Sequence, residues 1–407
     1  VNGTINSVGI SYNISNFSES MLISNDAGTG TLDNAAANTG FGHDVFNVLT
    51  SGDANTAMGR DAGFLLTSGS LNTFVGSNAG AAVASVNNNT AIGAYAFDAG
   101  TGADNTAVGS GALGGASNTA ANNVAMGLDA GNSITSGTQN TLIGNYVGDA
   151  LTDADFNVAV GYAALTTDVL GSKSTAIGYS SLANQNPASA ADMHNTAVGF
   201  YSGVNLTTGL QNTLIGSLAG DAITDADGNV AVGYAALTTN VLGSDSVAIG
   251  KNALNAQNPA SAAAMHNVAV GKNAGEAITT GVQNVIIGSI AGDAATTPDT
   301  CTIIGYQACG DGVLTGDKNV VIGGNAGLGL TEGKNNVIIG NNAVDADTKG
   351  WATTAVGYFA LGAQTFTSGT VADNQSDNTA VGYFAGSLTT TGKKNTYIGS
   401  LAGDDCI

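Results

Sequence analysis

A five-residue phrase, Asn-x-x-apolar-Gly, recurs 21 times along this chain, from the copy ending at Gly42 to the one ending at Gly399, mostly 17 residues apart. Its first position is Asn in 17 copies and a small residue in the other four, Ser174, Ser246, Cys301 and Thr353. Its fourth position, as in Phe41, Met58, Ile92 and Ile398, is hydrophobic every time. A period held this long predicts a solenoid, each repeat being one turn stacked on the next. Two or three glycines per repeat argue against helix, at about 1 kcal/mol each relative to Ala, and tandem Thr and Val favour strand. The expected turn is a strand (Asn-Thr-Ala-Val-Gly), a small-residue segment, a second short segment and a Thr-Thr-Gly corner. Gly52, Gly69, Gly137, Gly209, Gly281 and Gly392, each three residues before a phrase, are expected where a turn needs positive φ.

One repeat cannot fold alone, because its few small apolar side chains do not offset the entropy of ordering its backbone. Turns must therefore stack, making an Asn ladder and a continuous apolar core. The fourth position is expected to face inward. The third is its neighbour in the strand and so faces the other way, yet it too is apolar or small, as in Ala57, Phe74, Leu142, Ile286 and Ile303. Strands apolar on both faces are buried on both, so lateral association with copies of the chain is expected. The abundance of Ala at the third position suits three chains around an axis. The fold class is thus all-β, a parallel β-solenoid of about 21 coils in a homotrimeric rod, ~100 Å long at about 4.8 Å per coil.

Residues 1–37 lack the period and are expected to cap the array or connect it to a preceding part. Residues 38–403 are the array, and 404–407 its C-terminal end. Within the array, residues 157–228 and 229–300 form a second-order repeat of 72 residues, identical at 48 positions. The period is broken by insertions at 183–194, 255–266 and 362–377, expected as loops on one side, which in solenoids is often the binding side.

Phrases such as "NTAVGYFAG", "NVAVGYAAL" and "STAIGYSSL" resemble the head repeats of YadA-like trimeric adhesins. They are still more similar to the Asn-Thr-Ala-Val-Gly arrays of bacteriophage tail fibres. The resemblance covers roughly residues 38–403. It implies a left-handed β-roll in which three chains form one rod, with the longer repeat here making a larger corner. The function it implies is a tail-fibre shaft of a virion, touching a host receptor or glycan and joined to other fibre proteins. The alternative is a bacterial or archaeal surface adhesin or extracellular filament.

Composition narrows the remaining classes. Thirty acidic against nine basic residues give a formal charge of −21, which favours solubility and opposes binding to nucleic acid or an anionic membrane. No apolar run nears the ~20 residues that span a bilayer. Three cysteines, Cys301, Cys309 and Cys406, are no disulfide framework. Starting at Val1, the sequence reads as a processed form or a segment of something longer. No nucleophile–base set or paired catalytic carboxylates are apparent, so the expectation is a non-enzyme without a cofactor. His194 and His266 occupy copied loops four coils apart, too far to share a metal. The one metal reading is calcium in the turns "GDALTDADFN" and "GDAITDADGN", with Asp149, Asp153, Asp155, Asp221, Asp225 and Asp227 as candidate ligands.

Overall fold

The computed structural model describes residues 3–5, 8–14, 16–24, 31–115, 118–366 and 373–406. It forms two units, Val1–Tyr201 and Ser202–Ile407. Each is a parallel β-solenoid, and no helix occurs among the described residues. Within each unit, each phrase supplies a three-residue strand that pairs in parallel with that of the next phrase. In the first unit Thr56, Ala57 and Met58 face Thr73, Phe74 and Val75; in the second, Val285, Ile286 and Ile287 face Thr302, Ile303 and Ile304. With Phe17–Ser24, which pairs in parallel with Thr39–Phe41, this makes about 22 turns. On its other side Phe17–Ser24 pairs antiparallel with Val8–Ile14, so a strand edge at this end is covered.

The Asn column is the ladder that the sequence suggests. Asn55 donates its backbone N–H and its Nδ2 to Asn38 Oδ1, at 2.9 and 3.0 Å, and Nδ2 also donates to Gly69 O at 2.9 Å. Buried amides are thereby satisfied by both neighbouring coils. Cys301 stands in the same column, and its Sγ accepts the backbone N–H of Asn319 at 3.4 Å.

The phase of the strand is the reverse of expectation. Third-position Ala91, Ala125, Leu142, Ile286 and Ile303 are fully buried, while fourth-position Ile92, Met126, Ile143 and Ile287 are 37–42% exposed. The interior explains this. In many coils the third-position side chain meets the residue four after the phrase Gly, and the two trade volume. Phe74, Leu142 and Leu214 are matched with Gly80, Gly148 and Gly220, where a Cβ would lie 2.5, 3.1 and 2.7 Å from the larger side chain. Ala91, Ala159 and Ala231 are matched with buried Phe97, Leu165 and Leu237. In these coils the narrow interior holds one large side chain at this level, not two.

The corner glycines also differ from expectation. Gly52, Gly69, Gly137 and Gly209 do not take positive φ; a Cβ on each would meet a carbonyl of the following coil at 2.2–2.4 Å. Their role is close approach of backbones. Positive φ belongs instead to the phrase Gly, as at Gly59 (φ 137°), where a Cβ would also strike Gly76 O at 2.4 Å. It belongs too to non-glycine residues such as Asp61 (φ 57°) and Gln139 (φ 59°), two after the phrase Gly and one before the phrase Asn.

Candidate functional site

Two features depart from the plain stack: an exposed apolar stripe and three polar interruptions of the core. The stripe is the outward fourth-position column together with the residue after the phrase Gly, which is often aromatic. In the first unit Tyr162, Tyr179 and Phe200 stack at 5.3 and 5.4 Å between centroids, with planes 9° and 22° apart. In the second, Tyr358 and Tyr383 stack at 5.6 Å. All five rings remain exposed. The register of the coils places like residues over one another, so the rings cover their own faces and present edges to solvent.

The interruptions coincide with the insertions. Seven residues after the phrase Gly, nine coils bury Leu, Ile or Val, as at Leu66, Ile134 and Ile223. Beside the insertions this column instead carries the buried pairs Asp168 and Gln185, Asn240 and Gln257, and Asp347 and Gln364. Gln185 Nε2 donates to Asp168 Oδ2 at 2.5 Å and to Ser174 Oγ at 3.0 Å, while its Oε1 accepts from Asn195 Nδ2 at 3.0 Å. Gln364 repeats this with Asp347, Thr353 and Asn378. Ser174, Ser246 and Thr353 are three of the four small exceptions in the Asn column, and beside them the Gln amide takes over from the Asn they lack. In the middle set Gln257 Oε1 accepts from Asn267 Nδ2 at 3.0 Å, but Gln257 Nε2 has no partner.

The inserted segments are held down rather than free. Ala191–Asp192 pairs with Gly171–Ser172, and Ala263–Ala264 with Gly243–Ser244. Met193 and Met265 are buried beneath them, while Ala188, Ser189 and Ala190 stay exposed. His194 and His266 are exposed at positive φ. In the third insertion, Trp351 bridges Gln375, and residues 367–372 lie outside the described residues.

Burial pushes the Asp168 carboxyl up to about 6, against the opposing hydrogen bonds from Gln185 and the backbone of Gly171 and Leu170. The folded chain therefore keeps a proton between about pH 4 and pH 6 that the unfolded chain has released. Stability from this group is full near pH 4 and is lost as pH rises through 6, by ~3 kcal/mol. Asn240 fills the equivalent place in the second copy. Asp168→Asn should accordingly stabilise the fold at pH 7 by up to ~3 kcal/mol and merge with wild type near pH 4. Urea titrations at both pH values check this; a pH-independent difference would contradict it.

The six aspartates considered for calcium are engaged across coils. Asp149 accepts from Thr166 Oγ1 at 2.7 Å, Asp153 from Ser136 Oγ at 2.6 Å, and Asp155 from Thr138 N and Oγ1 at 2.6 and 2.9 Å. Asp221 accepts from Thr238, Asp225 from Thr208, and Asp227 from Leu210 N at 2.7 Å. Asp153 and Asp155 do border an open depression of about 490 Å³ with Asp192, whose carboxylate pairs with Lys173 Nζ at 2.5 Å. Among the described residues, the three metal-type donors that converge are different ones, His43, Asp44 and Asp61. Spacing rules for local motifs do not reveal them, since Asp44 and Asp61 lie one coil apart.

Cys301 and Cys309 are buried in the core, whereas Cys406 is exposed. Burial pushes the Cys301 thiol up to about 11 and Cys309 higher still, which holds both as unreactive thiols at neutral pH.

No helix among the described residues is long and apolar enough to cross a membrane. No known family model matches the chain, and no curated protein is significantly similar to it.

Proposed function

We propose that this chain is the structural shaft of a fibre, of the kind carried by a phage tail, built from parallel copies of itself and holding host-receptor contacts. The observation that carries the reading is the exposed fourth-position column, Ile215, Ile249 and Ile287 among its members, with exposed aromatic residues beside it. An apolar stripe repeated coil after coil exceeds what a lone soluble chain leaves in water. Copies aligned in parallel would bury like against like. Three copies is the number implied by the resemblance to trimeric fibres. The acidic remainder of the surface keeps such an assembly soluble, and the tips of the insertions supply repeated contact points whose weak binding adds up to avidity. The role is mechanical and adhesive rather than catalytic.

The test is the triple variant Ile215→Lys, Ile249→Lys, Ile287→Lys, compared with wild type by light scattering. Wild type should have three times the chain mass of 39.7 kDa, and the variant should fall to a single chain with its β circular dichroism retained. An unchanged mass would remove the stripe as the seam.

A further inference from the structure

We propose that His43, Asp44 and Asp61 form a binding site for a divalent transition-metal ion on the first unit. The stacking register builds it. His43 and Asp44 follow Gly42, and Asp61 follows Gly59 at the same offset as Asp44, so the two carboxylates stand in one column on successive coils. Both residues take left-handed backbone, φ 52° and 57°, and therefore project alike. The Asp61 N–H donates to His43 O at 2.9 Å, locking the two coils at this point. Nowhere else in the sequence do two consecutive coils carry acids at this position, and no other coil has a His just after the phrase Gly.

The donor atoms converge. His43 Nδ1 lies 3.0 Å from Asp44 Oδ2 and 4.0 Å from Asp61 Oδ1, and all three ligand atoms fall within 4.8 Å of one another. An ion about 2.1 Å from each donor spaces adjacent donors about 3.0–3.4 Å apart and opposite ones about 4.2 Å, so small side-chain shifts suffice. Arg60 orients the set: its Nε lies 3.4 Å from Asp61 Oδ2, which leaves Oδ1 for the ion, and its guanidinium also donates to Asn78 Oδ1 at 3.1 Å. Room for water ligands is present as well. A separate depression of about 290 Å³ opens against both carboxylates, lined also by Phe64, Asn78 and Ala81. One imidazole with two carboxylates suits Zn²⁺, Co²⁺ or Ni²⁺ better than Ca²⁺ or Mg²⁺, which take all-oxygen shells.

The experiment titrates the full chain with ZnCl₂ by calorimetry and with CoCl₂ by visible absorption, against CaCl₂ as control. Expected are one Zn²⁺ per chain, Co²⁺ bands without the intense thiolate charge-transfer that Cys406 would add, and no comparable Ca²⁺ binding. His43→Ala and Asp61→Asn should each weaken Zn²⁺ binding at least about tenfold, while His194→Ala leaves it unchanged. His43 is exposed and Asp61 is at the surface, so both variants should keep the wild-type circular dichroism. If either should fail to fold, the separate His43→Gln variant gives the same reading. Absence of Zn²⁺ binding to wild type overturns the proposal, as does binding that survives loss of His43 or Asp61.

Discussion

Replacing Ile286 by Asp should unfold the coils around it, whereas the same change one residue later, at Ile287, should leave them folded. Ile286 is fully buried, opposite Ile303 of the next coil, while Ile287 is 38% exposed. An Asp at 286 brings an unpaired carboxylate, or a carboxyl forced to stay protonated, into an apolar column and removes a packed side chain as well. The combined cost is of order 5 kcal/mol. At 287 the new carboxylate reaches water, and the cost to a single chain should stay below about 1 kcal/mol. To separate stability from association, both variants belong in a background already carrying Ile215→Lys and Ile249→Lys. Urea unfolding of the two checks the claim; equal losses would mean that the assigned inner and outer faces are wrong.

Asn284→Ala should be nearly as damaging, although it deletes only a polar group. Asn284 donates its N–H and Nδ2 to Asn267 Oδ1 at 2.9 and 3.1 Å, and Nδ2 also donates to Pro298 O at 2.7 Å. Its own Oδ1 accepts the Cys301 N–H at 2.9 Å. Truncation leaves the Cys301 N–H and the Pro298 carbonyl buried without their partner, at about 1–3 kcal/mol each, so a total loss of ~3–5 kcal/mol is expected. Cys301→Asn, which restores the usual residue of the column, should be neutral or stabilising. A loss below 1 kcal/mol for Asn284→Ala in urea titration would show that the ladder is not what joins the coils.

The architecture was largely legible because it is written as period. Spacing alone predicts parallel stacking, the Asn ladder and all but one of the coils, the extra turn at Phe17–Ser24 lying in a segment without the period. The inner face was not legible from the strand itself, since positions three and four are both apolar and a three-residue strand has no longer alternation to set its phase. The deciding signal lies six residues further on, in the exchange of volume between Phe74 and Gly80 or between Ala91 and Phe97. That exchange is meaningful only once the coil is closed. The corner glycines misled for a similar reason: Gly52 is required by a carbonyl 17 residues away, not by its own dihedral. The polar pair Asp168 and Gln185 could have been found by aligning coils, as two hydrophilic residues in a column where nine coils carry Leu, Ile or Val. The calcium candidates rested on local Asp-x-Asp spacing, whereas the hydrogen bonds of those carboxylates run between coils. His43, Asp44 and Asp61 became neighbours only through the register.

The most direct test of the central claim, that these coils stack with an apolar face turned outward to meet copies of the same chain, is the native mass of the full chain at micromolar concentration by analytical ultracentrifugation. A single species at three times 39.7 kDa, stable on dilution, is the expected result. A folded species sedimenting at the mass of one chain would contradict it.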